Sequence, residues 1–129
     1  MSVPLSELAR RLADAPTYVI VTTLNPDGGP QSSVVWIKRD GDDLIFSTVR
    51  GRQKARNLER DPRISVCCFD PASPGNYVEV RGTVALSEAG GRELIDELAW
   101  KYTGQGYPQE PTGTVRLVCR VTATKVHSR

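Results

Sequence analysis

Residues 17–49, TYVIVTTLNPDGGPQSSVVWIKRDGDDLIFSTV, decide the fold. Three runs rich in β-branched and aromatic residues, TYVIVTTL (17–24), QSSVVWIKR (31–39) and LIFSTV (44–49), are separated by NPDGGP and DGDD. Such runs read as strands, and the Pro, Asp, Asn and Gly clusters between them read as tight turns. The segment is therefore an antiparallel meander of three strands.

Working outward, RISVCCFD (63–70) supplies a fourth strand and YVEVRGTVALS (77–87) a long fifth, with PASPGN (71–76) as the loop between them. TVRLVCRVTATKVH (114–127) alternates Val115, Leu117, Cys119 and Val121 against Arg116, Val118, Arg120 and Thr122, the pattern of a sixth strand. Three short helices are expected. The first, LSELARRLADA (5–15), has Leu5, Leu8, Ala9 and Leu12 at helical spacing, with Ser6 as cap and Pro16 as stop. The second runs from Arg52 to Arg60, free of Gly, Pro and β-branched residues, and ends before Pro62. The third starts near Gly91 and places Leu94, Ile95, Leu98 and Tyr102 on one face. QGYPQEPTG (105–113) follows as a loop. Six antiparallel strands with short flanking helices imply one α+β domain over residues 1–129, mainly β, with its sheet closed into a barrel to remove free edges.

Composition narrows the function. The 129 residues are 39% hydrophobic and 25% charged, with a net charge of +2, so no global field selects nucleic acid or an acidic membrane. Only 6% are aromatic, which argues against a nucleic-acid stacking surface. No apolar window reaches the length of a membrane span, and MSVPLSELARRLADAP lacks the apolar core of a signal peptide. Three cysteines (Cys67, Cys68, Cys119) without a CxxC pair and a single His127 exclude a zinc site or disulfide framework and fit a reducing, cytoplasmic setting. His127, near the end of the sequence, is expected in a disordered tail. No catalytic triad and no acid–base dyad is visible. Asp42, Asp43, Asp96 and Glu97 read as solvated charges.

The positive charge is concentrated in STVRGRQKARNLERDP (47–62), which holds Arg50, Arg52, Lys54, Arg56 and Arg60. Cations are normally found at the C-terminus of a helix, yet Arg52 and Lys54 fall in the first turn of this one. A local breach of a stability rule points to a ligand, and a helix N-terminus with adjacent cations suits an anion. Arg50 can fold back toward the same point, and Ser47 and Thr48 add hydroxyl donors. Arg56 and Arg60 continue from Arg52 along one stripe, which reads as a face turned to water. There is no GxGxxG and no Walker glycine loop.

The order DG-G-PQSSVVW, LIFST, R-x-K-x-x-N-L-x-x-DPR-x-S and YVEVRGTV resembles the split β-barrel flavin and deazaflavin proteins of the pyridoxamine 5′-phosphate oxidase-like superfamily. Within it the chain is most similar to the small F420-dependent oxidoreductases of actinobacteria, from about Thr17 to Glu88. The resemblance implies a homodimer with two cofactors in interface grooves. It implies that Arg52 and Lys54 hold the cofactor phosphate, with Ser47 and Thr48 beside it. It also implies that Gln31, Ser32, Ser33 and Val34 run along the tricyclic ring. Asn57 is expected to brace the helix, while a role for Arg50 rests on charge alone.

Trp36 is expected in the core or an interface, with the wall of a substrate pocket as the alternative. Trp100 and Tyr102 are expected to pack. The cofactor implied is F420, whose phosphodiester and oligoglutamate tail suit an extended basic cluster better than a single phosphate does. FMN is the alternative. Pyridoxamine phosphate oxidation itself implies an Arg-rich C-terminal stretch that TATKVHSR does not match. A non-catalytic module binding a cofactor, haem or another tetrapyrrole is the reading from a different class.

Overall fold

A computed structural model describes residues 1–128. One antiparallel sheet of seven strands organises it, rather than six. In chain order the elements are α1 (Glu7–Asp14), β1 (Val19–Leu24), β2 (Pro30–Val35), β3 (Ile37–Asp40), β4 (Asp43–Val49), α2 (Gln53–Arg60), β5 (Arg63–Asp70), β6 (Ser73–Ser87), α3 (Gly91–Thr103) and β7 (Arg116–Ser128). The extra strand arises because the run expected as one strand over 31–39 is divided at Trp36 into β2 and β3.

That division closes the sheet. The strand order is β2-β1-β5-β6-β7-β4-β3, so β2 and β3 are its two edges. They are also consecutive in sequence, with only Trp36 between them. Edges joined by one residue cannot lie at opposite ends of a flat sheet, so the sheet curls into a barrel whose seam lies at Trp36. No local signal in VVWI marks the break, because every residue there favours a strand.

Two further boundaries differ from expectation. PASPGN, expected as a loop, lies largely within β6, which begins at Ser73 and pairs there with Asp70 before a bulge. His127, expected in a disordered tail, lies in β7 opposite Glu79.

The barrel interior is filled by alternate residues of the strands, including Val19, Val21, Phe46, Val66, Val80 and Val121. The amphipathic α1 closes one end by burying Ala9, Leu12 and Ala13. Its first turn is capped by Ser6, whose hydroxyl accepts from the Ala9 amide at 3.2 Å, a contact worth about 1 kcal/mol. Outside the barrel, α3 packs Leu94 and Leu98 on Ile45 of β4 in a second cluster that includes Trp36 and Val118. Close approach of α3 to β7 requires Gly91, since a β-carbon there would lie 2.1 Å from the Arg116 carbonyl oxygen. Tyr102 packs as expected, accepting from the Ile37 amide and donating to the Thr17 carbonyl. Trp100 does not pack: it is 58% exposed on the opposite side of α3. No helix is long and apolar enough to cross a membrane among the described residues.

Candidate functional site

The chain leaves β4 through a turn in which the Arg52 amide bonds the Val49 carbonyl at 3.1 Å. Gly51 takes φ +100° there, a left-handed conformation that side-chain-bearing residues avoid. The turn delivers Arg52 to the N-cap of α2 and Lys54 to its first turn, with no side-chain cap and no acidic residue in that turn. The orphan amides of α2 therefore face the same space as two cations.

Asn57 fixes this helix. It is fully buried, and its amide nitrogen donates to Thr23 Oγ1 and Asn25 Oδ1, both at 3.0 Å. Its oxygen accepts from Gln53 at 2.8 Å. Asn57 thus ties α2 to β1 and to the turn that follows it.

Beside α2 lies a cleft of about 220 Å³. Its cationic side is Arg52, Lys54 and Arg116, and its aromatic side is Tyr18, Trp36 and Tyr107. Lys54 Nζ donates to Ser33 Oγ at 3.0 Å. Burial, followed by the charge of Arg52, pushes the Lys54 ammonium below its ordinary pKa. Trp36 stacks on Tyr102 with ring centroids 5.4 Å apart and meets Tyr107 edge-on. It therefore both packs against the outer cluster and walls the cleft.

Strand alternation separates Ser47 from Thr48. Ser47 lines the cleft, whereas Thr48 points into the barrel, fully buried, with its hydroxyl oxygen unpartnered among the described residues. Arg50 is drawn elsewhere: it donates to Glu88 at 2.8 Å and lies 4.0 Å from Glu59. On β2, Val34 lines the cleft and Ser33 reaches it through Lys54. Ser32 bonds Thr22 at 2.8 Å on the outer face, and Gln31 lies in an adjoining groove. Of the expected site residues, the structure brings together Ser33, Val34, Ser47, Arg52 and Lys54. It sets Gln31, Ser32, Thr48 and Arg50 apart from the cleft.

Arg116 is the site residue that strand alternation concealed. It is only 8% exposed, because the 104–115 loop folds over that face of β7. Its guanidinium donates to both carboxylate oxygens of Glu110 (3.1 and 3.0 Å), to Tyr107 Oη at 3.0 Å and to Ser47 Oγ at 3.3 Å. Since Ser47 Oγ accepts from Arg116, its own O–H is left to donate into the cleft.

Charge pairing sets α2 apart. Among the described residues, Arg52, Lys54, Arg56 and Arg60 have no carboxylate within ion-pair distance. Among the other described residues only Lys101 and Lys125 share that condition, and Lys101 donates instead to the carbonyls of Ala13 and Ile37. No group of three or more His, Cys, Asp or Glu residues is placed to hold a metal among the described residues. Cys68 and Cys119, pushed up to about 12 by burial, are inert thiols of the core.

A seven-stranded antiparallel barrel split at one seam, with a cationic helix start beside an aromatic cleft, defines a split β-barrel. The chain belongs to the pyridoxamine 5′-phosphate oxidase family, an oxidoreductase family whose model matches residues 5–129. It is 36% identical over 88 residues to a pyridoxine/pyridoxamine 5′-phosphate oxidase of Acidothermus cellulolyticus, a match covering 63% of this chain and 39% of that protein. A solved F420 reductase superposes with a TM-score of 0.82 at 30% identity, over 92% of this chain and 94% of that one. A conserved hypothetical protein of Mycobacterium tuberculosis shares the fold at 23% identity, with a TM-score of 0.78 over 98% and 86% of the two chains.

Proposed function

We propose that the protein is an F420-dependent oxidoreductase that transfers hydride between the deazaflavin and a small conjugated or quinone-like substrate. The observation that carries this reading is the row of cations on α2 with no carboxylate partner among the described residues, set against an aromatic cleft. A ligand with a planar ring and a polyanionic side chain satisfies both halves. The bound deazaflavin supplies the hydride chemistry; the chain binds and orients it. Arg52 and Lys54 hold its phosphodiester, Val34 and Trp36 flank the ring, and Ser47, polarised by Arg116, donates to a polar ring atom. The likeness to an F420 reductase over nearly the full length of both chains supports the same reading.

A homodimer is part of the proposal. Ile20, Val34 and Phe69 are exposed apolar residues on the outer face of three adjoining strands, β1, β2 and β5, with Tyr18 beside them. A second copy covering this face also closes the open side of the cleft at Tyr18 and Val34.

FMN is the second reading, favoured by the oxidase relatives, which this chain matches over less than half of their length. Haem ligation draws nothing from the cleft, because His127 stands opposite Glu79 and is no part of the lining. Fluorescence and absorbance titration with F420, FMN and haem separates the three. Micromolar F420 binding with much weaker FMN binding is the expected result. A yellow protein that retains FMN through purification overturns it.

A further inference from the structure

The amine of Lys54 stands apart from those of the other lysines. Lys38 pairs with Glu97 at 2.9 Å, Lys101 donates to the Ala13 and Ile37 carbonyls, and Lys125 lies on the outer face of the sheet beside His127. Lys54 lines the aromatic cleft, and its described side-chain hydrogen bond is the one to Ser33 Oγ at 3.0 Å. Two of its three N–H groups are therefore free toward the cleft. Arg52 and Arg116 share the lining, and no carboxylate is within ion-pair distance among the described residues. A half-buried amine among cations, with no carboxylate to hold its proton, is the setting in which lysine acts as a nucleophile, because burial and like charge both favour the neutral form. Both act here, burial first and then Arg52.

The same cleft supplies what a carbonyl oxygen needs. Arg116 donates to Ser47 Oγ at 3.3 Å and to Tyr107 Oη at 3.0 Å. Each oxygen accepts from the guanidinium, so each O–H is left to donate to a third atom. Tyr107 is held firmly. Its ring lies between Arg92 and Arg116, 5.6 and 5.0 Å from the two guanidinium carbons, and its amide donates to Asp96 at 2.9 Å. A carbonyl seated against these fixed donors is polarised, and its carbon becomes electrophilic. The walls of Tyr18, Trp36 and Tyr107 suit one planar ring, and Arg52 suits an anionic substituent on it.

We infer that the cleft is an imine-forming site, in which Lys54 captures the carbonyl of a planar aromatic aldehyde that carries an anionic group. The Nζ lone pair attacks the carbonyl carbon, and the π pair of the C=O bond moves to oxygen, which takes a proton from Ser47 or Tyr107. The amine returns that proton through Ser33 Oγ or the cleft hydroxyls. The oxygen then leaves as water with the second amine proton, and a C=N bond remains. Nothing is oxidised or reduced. This activity goes beyond hydride transfer and is independent of which cofactor the protein holds. An anion resting on Arg52 and Lys54 excludes it.

The test incubates the full chain at neutral pH with 4-formylbenzoate and cyanoborohydride, which reduces an imine to a stable secondary amine. Peptide mapping by mass spectrometry locates the adducts and separates them from that of the N-terminal amine. Lys54 is expected to be labelled about tenfold faster than Lys38 or Lys125. Inorganic phosphate is expected to slow this labelling and leave the other lysines unchanged. Tyr107→Phe, which keeps the ring and loses the O–H, is expected to slow it about tenfold. Lys54→Arg, which keeps the charge, should leave the cleft without an adduct. Thermal melts verify folding of the variants, and the phosphate arm uses the wild type alone. No adduct on Lys54, labelling of the lysines at equal rates, labelling indifferent to phosphate, or a rate untouched by Tyr107→Phe overturns the proposal. None of these results bears on F420 binding, which is titrated separately.

Discussion

Lys54 Nζ of α2 lies 3.0 Å from Ser33 Oγ of β2, the one described side-chain hydrogen bond that joins the cationic helix to the edge strand of the cleft. The ammonium is half-buried beside Arg52, without a carboxylate, and its pKa is lowered by burial and then by Arg52. A folded-state pKa below the unfolded value means that the folded apo form binds its proton less tightly. Stability in this respect rises as pH climbs from the lowered value toward the ordinary lysine value of 10.5. An anionic ligand prefers the protonated form, so cofactor affinity should fall as pH rises through the lowered Lys54 pKa. Titration across the alkaline range checks this, and Lys54→Arg should remove the pH dependence while retaining binding.

Arg52 and Lys54 are both expected to contribute to phosphate binding. Arg52→Ala and Lys54→Ala should each weaken cofactor binding by about 1.5–3 kcal/mol, the range for hydrogen bonds to charged groups. Isothermal titration at fixed salt measures it. Unaltered affinity in both variants removes the proposed phosphate site.

The pairing of Arg116 with Glu110 supports the wall of the cleft. Both side chains are largely buried, at 7% and 14% exposure. Glu110→Ala should cost about 3 kcal/mol in chemical denaturation, because it strands a buried guanidinium. Arg116→Met/Glu110→Leu should recover most of that loss and still impair cofactor binding, since Ser47 then loses its donor.

Gly91→Ala should be destabilising by about 1–3 kcal/mol, the cost of overpacking, because the added methyl collides with the backbone of β7. The helix must move away from Arg116, so ligand affinity should fall together with the melting temperature.

At the exit of α2, Arg63 Nη2 lies 2.7 Å from Asp61 Oδ2. This contact, with the bond from the Arg63 amide, lowers the Asp61 carboxyl from 3.8 to about 2. A depressed carboxylate contributes stability above its unfolded value that is lost as pH falls through its folded one. The stability gap between wild type and Asp61→Asn should therefore narrow between pH 3.8 and about 2, as followed by thermal melts.

Much of the barrel is legible in residues 17–49 because its turns are written in Gly, Pro and Asp and its strands in β-branched residues. Lys54 and Arg52 are legible because their charge contradicts the helix dipole. The missed features depend on contacts distant in sequence. The split at Trp36 comes from closing the sheet. Arg116 alternates like an outward residue, and only the 104–115 loop and its Glu110 bury it. Thr48 and Ser47 are equivalent as hydroxyls, and their opposite fates follow from which face of β4 meets the core. Arg56 and Arg60 look solvated until the turn after β1 folds beside them.

At Trp36 the two rims of the barrel share no ladder, since β2 bonds only to β1 and β3 only to β4, and it is Tyr102 of α3 that bridges the seam, from the Ile37 amide to the Thr17 carbonyl. Parting the rims there would break no ladder contact but would cost the Tyr102 bonds and the stack of Trp36 on that ring. An indole mounted on that seam forms one wall of the cleft, and its place is held by the helix behind it rather than by the strands on either side.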